Sequence, residues 1–228
     1  MICFGTGGWR AEIGKDFYID NIRLIAQALA NCIKNDGKSD KPVVVGYDRR
    51  FLSSQAATWA AEVLAANNIP VLFMRRSVPT PLVMYIVKER GLHYGIEITA
   101  SHNPSNYNGI KVIVGEGRDA PIAVTELLER EAAAVSEPLV IPFDQAVEAG
   151  NVSYIENPFN PFIDDILVVL DTEAIRARGP RILFDSMHGS SSYPLNVIFH
   201  TTRCTVDQIH GNRDAYFGGL MPAPNECT

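Results

Sequence analysis

Gly95-Ile96-Glu97-Ile98-Thr99-Ala100-Ser101-His102-Asn103-Pro104, followed by Asn108-Gly109-Ile110-Lys111, is the stretch on which the fold turns. The extended apolar run from Gly95 to Ala100 predicts a buried strand. Ser, Asn and Pro then break it into a polar turn, and a second strand is expected over Ile110 to Val114. A single hydroxyl, Ser101, stands where the strand gives way to the turn. A basic residue, Lys111, follows ten positions later.

Outward from this stretch the pattern alternates. Ile22, Ile25, Ala26, Leu29, Ala30 and Ile33 recur at helical spacing and predict an amphipathic helix that ends at Asp36-Gly37. Pro42 to Gly46 is a β-branched run that reads as a buried strand. Ser53 or Ser54 is expected to cap a helix reaching Asn67. Val71 to Met74 reads as a strand, Thr80 as the N-cap of a helix reaching Arg90 with Pro81 at its first position, and Ile122 to Val135 as a helix. Strands alternating with helices predict a layered α/β domain. Ligands of such sheets gather beyond the carboxyl ends of the strands. Asp48, Ser77 and Ser101 each follow a predicted strand and are expected to share one crevice.

Pro, Gly and Asn interrupt the periodicity between about Glu137 and Pro161. A second pattern then starts: a helix over Phe162 to Leu170, a strand over Arg181 to Asp185, a helix near Tyr193 to His200 and a strand near Cys204 to Ile209. The expected fold is a three-layer α/β/α domain with a mixed sheet over residues 1–145. Part of a second, similar α/β domain follows over residues 146–228.

Composition narrows the function classes. The formal charge is -6, with no basic stripe, which argues against nucleic acid as a partner. Cys3, Cys32, Cys204 and Cys227 form no CxxC pair and match no zinc module, so reduced thiols in a cytoplasmic protein are expected. No basic segment leads into an apolar one at the N-terminus. No apolar run approaches the ~18 residues that span a bilayer, so no membrane association is expected.

The chemistry at Ser101 is the open question. His102 is its sequence neighbour, whereas Ser–His pairs usually come from separate parts of a fold, and the G-x-S-x-G elbow is missing. Phosphoryl transfer fits the residue types better. A phosphoserine carries ~-1.5 to -2 charge and needs cationic or N–H partners, and Arg10, Arg49, His102 and Lys111 are available. Spacing alone leaves the alternatives standing: Ser101 as a turn residue, Lys111 as a solvated strand lysine, Arg10 as a surface residue in a glycine-rich loop, His188 as a loop hydrogen bonder. Gly5, Gly7 and Gly8 lack the Gly-Lys-Ser/Thr ending of a phosphate loop, with no strand expected before them. No G-x-G-x-x-G follows a strand, which argues against a nucleotide-binding enzyme.

Thr99 to Pro104 with Asn108 to Lys111 resembles the active-site serine loop of the α-D-phosphohexomutases, the phosphoglucomutase/phosphomannomutase family. The likeness continues in order through Phe4-Gly5-Thr6-Gly7-Gly8-Trp9-Arg10, Val44 to Arg50 with Ser53-Ser54, Val78-Pro79-Thr80-Pro81, and Ile182 to Gly189. The resemblance implies reversible transfer of phosphate between the C1 and C6 oxygens of a hexose, glucose or mannose, through a phosphoserine and a sugar 1,6-bisphosphate. It implies Ser101 as the phosphorylated serine, with its phosphate one ligand of a Mg²⁺ ion. His102 and Lys111 then sit beside the transferring group, Lys111 as a proton acceptor, and Arg10 helps hold the phosphoserine region. Glucose 1,6-bisphosphate is implied as activator or intermediate, and a phosphosugar as the partner.

The resemblance also implies a departure. Members of that family have four domains and an aspartate-rich metal loop, Asp-Gly-Asp-x-Asp-Arg, which this sequence lacks. The chain is therefore expected to be an N-terminal portion, inactive alone, with an incomplete Mg²⁺ site. Self-association is expected through an open second domain. A non-catalytic binding or interaction module is the competing expectation.

Overall fold

A computed structural model describes residues 2–5 and 7–225. Thr6 of the glycine-rich motif and Cys227 lie outside the described residues.

The elements run β1 (Phe4–Gly5), β2 (Gly8–Glu12), α1 (Ile19–Asn35), β3 (Val43–Tyr47), α2 (Ser53–Ala66), β4 (Val71–Phe73), α3 (Thr80–Glu89) and β5 (Tyr94–Ile98). Next come β6 (Tyr107–Val114), β7 (Arg118–Asp119), α4 (Ile122–Ala134), α5 (Phe143–Glu148) and β8 (Val152–Tyr154). The chain continues through α6 (Phe159–Val169), α7 (Thr172–Arg178), β9 (Arg181–Asp185), α8 (Ser192–Thr201), β10 (Thr205–Ile209) and a 3-10 turn at Phe217–Gly219.

Among the described residues the main sheet runs β1-β2-β6-β5-β3-β4-β8, with β7 on β6. β5, β3, β4 and β8 are parallel, whereas β6 is antiparallel to both β5 and β2. The Val43-Val44-Val45 run explains why β3 is central. Val43 and Val45 enter the core shared with α1, α2 and α4, and Val44 enters the opposite core under α3. A strand buried on both faces reads as a continuous apolar run. The expected three-layer α/β/α arrangement with a mixed sheet is the arrangement found. β9 and β10 form a separate parallel pair whose crossover is α8.

Several local expectations are corrected. Gly8 to Glu12 is a strand, not a loop, so Arg10 is a strand residue. Its pairing with β6 is long-range, and local composition carries no trace of it. Leu52, with φ of 63°, is the N-cap of α2, and the Ser53 hydroxyl donates to Asp48 Oδ1 instead. Pro79 caps α3, which places Thr80 inside the helix. The irregular stretch after Glu137 holds α5 and β8, and β8 pairs with β4. The division expected at 145/146 falls inside α5. These elements span six and three residues, too short for a periodic stripe to register.

Candidate active site

The Ser101 loop is built by strand ends. Thr99 N–H donates to the Gly109 carbonyl at 3.0 Å, extending the β5–β6 ladder by one step. Asn103 N–H closes the turn on the Ala100 carbonyl at 3.0 Å. Ser101 takes a φ of 55°, a left-handed conformation that a residue with a side chain holds only when its surroundings enforce it. Its N–H donates to Thr99 Oγ1 at 3.0 Å. Its side chain is exposed, and Oγ lies 3.3 Å from His102 Nδ1.

The enforcing residue is Arg50. Its guanidinium donates to the carbonyls of Ser101 (2.8 Å), Asn103 (2.7 Å), Pro104 (2.9 Å) and Tyr107 (3.1 Å). It is 1% exposed. Asp48 holds Arg50 from the other side, with Oδ2 at 3.4 Å from Nε and Oδ1 accepting the Arg50 backbone N–H at 2.9 Å. Ser53 donates to that same Oδ1 at 2.6 Å, and Asn108 donates to the Ser53 hydroxyl at 2.8 Å. Burial pushes the Asp48 carboxyl up, while the bonds from Ser53 and Arg50 pull it back. The Phe217 ring covers Arg50 at 4.9 Å, so a residue past β10 completes the support of the serine loop.

Arg10 on β2 stands opposite Gly109 on β6. Gly109 is required there: a Cβ would overlap the Trp9 carbonyl oxygen, and would also lie 2.9 Å from the Thr99 carbonyl oxygen. Lys111 is two residues further along β6, opposite Glu97 on β5. Its ammonium lies 3.1 Å from Asp119 Oδ1 and close to Gly7. The structure thus joins Ser101 to His102 directly, places the Arg10 backbone across from the serine loop's base, and turns Lys111 toward Asp119.

Glu97 is the unexpected residue. It is fully buried beneath the loop against Gly46, Val78 and Val83. Among the described residues neither carboxyl oxygen has a hydrogen-bond partner. Burial, and then the Asp48 charge, push its carboxyl well above the usual range.

A crevice of about 460 Å³ opens between the serine loop and the loop after β9, with Asp48, Arg49, Ser101, His102, Ser186 and Ser190 in its wall. Ser77 is not part of this wall. Arg49 donates to the carbonyls of Gly211 (3.0 Å) and His188 (3.4 Å). His188 is a loop hydrogen bonder, with Nδ1 3.1 Å from the Asn212 carbonyl. Sequence reasoning gave no individual role to Arg50, Asn108, Glu97 or Phe217, although Arg50 and Asn108 stand within the motifs that carry the family resemblance. A glutamate inside an otherwise apolar strand was the one visible signal among them.

Residues 1–138 match the sequence pattern described as phosphoglucomutase/phosphomannomutase, alpha/beta/alpha domain I. The chain belongs to the phosphoglucomutase/phosphomannomutase family. A phosphoglucomutase/phosphomannomutase of Thermococcus kodakarensis is 28% identical over 227 residues, covering 98% of this chain and 48% of the relative. A phosphoglucomutase of Staphylococcus saprophyticus is 32% identical over 197 residues, covering 84% of this chain and 35% of the relative. This family member therefore spans a half or less of the length of these relatives. A solved structure of a candidate phosphomannomutase from Thermus thermophilus superimposes with a TM-score of 0.88 at 25% identity, over 98% of this chain and 49% of that one. A Paramecium phosphoglucomutase structure in its open form shares the fold, with a TM-score of 0.83 at 20% identity over 99% of this chain and 47% of its own. Among the described residues of this family member, no helix is long and apolar enough to cross a membrane.

Proposed function

We propose that this chain carries the phosphate-transferring serine of a phosphohexomutase that interconverts hexose 1-phosphate and hexose 6-phosphate, with glucose or mannose as the sugar. Family membership supports the reaction class. The observation that carries the residue assignment is Ser101 itself: an exposed hydroxyl in a left-handed turn, fixed through four carbonyls by one buried arginine and facing a crevice.

In this reading the acceptor hydroxyl of the sugar attacks the phosphorus of phosphorylated Ser101. The new P–O bond forms as the P–Oγ bond breaks, the acceptor proton passes to a basic side chain, and Oγ regains a proton. Positioning and charge stabilisation dominate such transfers. The rigid loop supplies the first. His102 Nδ1 is within reach of Oγ to hold or move its proton. Lys111, held near Gly7 beside Asp119, is the proton acceptor of this reading, taking the acceptor hydroxyl's proton as its neutral amine. Arg10 steadies the serine loop from β2.

The resemblance also implies Mg²⁺ with a phosphoserine oxygen among its ligands, to offset charge on the transferring group. Hard cations take several oxygen ligands. Among the described residues no group of three or more His, Cys, Asp or Glu side chains converges to hold one. In this reading the site stays incomplete, and the 228-residue chain is expected not to turn over substrate by itself.

A coupled assay of glucose 1-phosphate conversion to glucose 6-phosphate, with and without glucose 1,6-bisphosphate, tests this. The pure chain is expected to give no turnover. Turnover that survives Ser101→Ala would refute the assignment of Ser101.

A further inference from the structure

The segment after β10 is hydrogen-bonded on two sides, to the β9–β10 unit and to the residues that follow β3. Toward the unit, the His210 carbonyl accepts from the His188 N–H at 2.9 Å and from the Ser186 hydroxyl at 2.8 Å. Toward β3, Arg213 Nε donates to the Arg49 carbonyl at 3.1 Å and Nη2 to the Arg50 carbonyl at 3.4 Å. The Gly211 carbonyl takes part on both sides, accepting from Ser192 Oγ at 3.1 Å and from Arg49 Nη1 at 3.0 Å.

The segment ends in a turn shaped by one carboxylate. Asp214 Oδ1 accepts the Tyr216 N–H at 2.8 Å, and Oδ2 accepts the Gly218 N–H at 3.0 Å. Between them Phe217 takes a φ of 53°, a left-handed conformation that a residue with a side chain holds only under constraint. Phe217 is 7% exposed, whereas Tyr216 and Leu220 on either side of it are 74% and 52% exposed. The turn therefore buries one ring, and that ring lies 4.9 Å from the Arg50 guanidinium carbon. The edge of this guanidinium is already committed, with Nη1 and Nη2 on four carbonyls and Nε facing Asp48. Its face is what remains, and the Phe217 ring covers it. A ring there attracts the cation, resists tilting of its plane and keeps water from the donors, which strengthens their bonds to the loop.

We propose that Phe217 is a positioning residue for the Ser101 hydroxyl: presented by Asp214 and anchored by Arg213, it holds Arg50 against the four carbonyls of the serine loop. The placement of Ser101 Oγ then depends on the β9–β10 unit, through Gly211 to Phe217, and not on the main sheet alone. Phe217 acts through Arg50 and needs no contact with Ser101 or with substrate. That the positioned hydroxyl takes up phosphate rests on the phosphohexomutase reading, whereas the positioning does not.

Amide hydrogen exchange of the 228-residue chain, compared with Phe217→Ala, Phe217→Tyr, Asp214→Ala and Tyr216→Ala, tests the positioning. The same proteins are incubated with glucose 1,6-bisphosphate, and phosphate on the peptide containing Ser101 is followed by mass over time. Phe217→Ala is expected to speed exchange at residues 101–107 about tenfold and to slow phosphate uptake by a similar factor. Exchange in β3 and α2 should change far less. Phe217→Tyr restores the ring and is expected to recover both parent values. Asp214→Ala keeps the ring but releases the turn, so both readouts should move in the direction of Phe217→Ala. It keeps the proposal testable if Phe217→Ala does not fold. Tyr216→Ala is expected to behave as the parent, because that side chain lies in the same turn but is exposed. Parent-like exchange at 101–107 in folded Phe217→Ala, a rise spread evenly over the chain, no recovery in Phe217→Tyr, or an equal loss in Tyr216→Ala would each overturn the proposal. Faster exchange with unchanged phosphate uptake would overturn it too. If Ser101 of the parent takes up no phosphate, the mutase reading fails and the exchange comparison alone decides the positioning.

Discussion

Arg50 Nη2 donates to the carbonyl oxygen of Ser101 at 2.8 Å, and the same guanidinium reaches three more carbonyls of the loop. The residue that sets the position of the exposed hydroxyl is therefore itself buried. It works through the backbone and does not touch Oγ.

Replacing Arg50 tests this directly. Arg50→Met leaves Asp48 buried without its cation and four carbonyls without donors, a loss of about 3 kcal/mol or more. Arg50→Lys is expected to recover little, because a point charge on a flexible stem does not reproduce a planar fork. Urea denaturation measures the loss. Hydrogen exchange at residues 101–107 should rise in both variants more than at β3 or α2.

Glu97 gives a pH dependence of known sign. Its carboxyl is held well above its ordinary value of 4.5 by burial and the Asp48 charge. Between that ordinary value and the raised one, the folded state holds a proton that the unfolded state releases. Stability contributed by this residue is thus present at low pH and declines as pH rises through the window, by up to about 1.4 kcal/mol per pH unit. Glu97→Gln removes the titration. The variant's stability relative to the parent should climb from pH 5 to pH 8 in paired denaturation curves; a constant difference would show that Glu97 does not titrate in this range.

Gly109→Ala probes the crossing of β2, β6 and β5. The added methyl meets the Trp9 and Thr99 carbonyls at once, and backbone atoms yield little. A destabilisation of about 3 kcal/mol is expected, with thermal unfolding as the readout. Gly37→Ala is a useful contrast: nothing lies within 4 Å of its Cβ position, and only its φ of 66° opposes the change.

Thiol labelling maps the cores. Cys3 is exposed, whereas Cys32 and Cys204 are buried. Burial, with smaller contributions from Glu131 and Asp36, pushes the Cys32 thiol up to about 11. The thiolate is the reactive form. Peptide mapping after brief alkylation of the native chain should find Cys3 modified and Cys32 untouched; early modification of Cys32 would contradict the packing of α1 against α2 and α4.

The longer periodic elements were legible in the sequence because their patterns follow from one-sided or two-sided burial. The stripe on α1 and the valine run of β3 are examples. β1, β2 and β8 were not, because each is short, β2 and β8 exist through pairing with distant strands, and β1 pairs only with β2. At the site, Ser101, His102, Arg10 and Lys111 stood out as chemistry-bearing residues in a recognisable order. Arg50 did not, since a buried arginine that feeds backbone carbonyls looks in sequence like any surface cation. Phe217 was illegible for the opposite reason: its role lies in covering Arg50 from a distant part of the chain, and the tail around it has no periodicity.

The most direct test of Ser101 as the phosphate carrier is peptide mass mapping of the chain before and after incubation with glucose 1,6-bisphosphate. The account predicts a phosphoryl group on the peptide containing Ser101, localised to that residue and lost in Ser101→Ala. An unmodified Ser101, or a phosphoryl group found only at another residue, would contradict it.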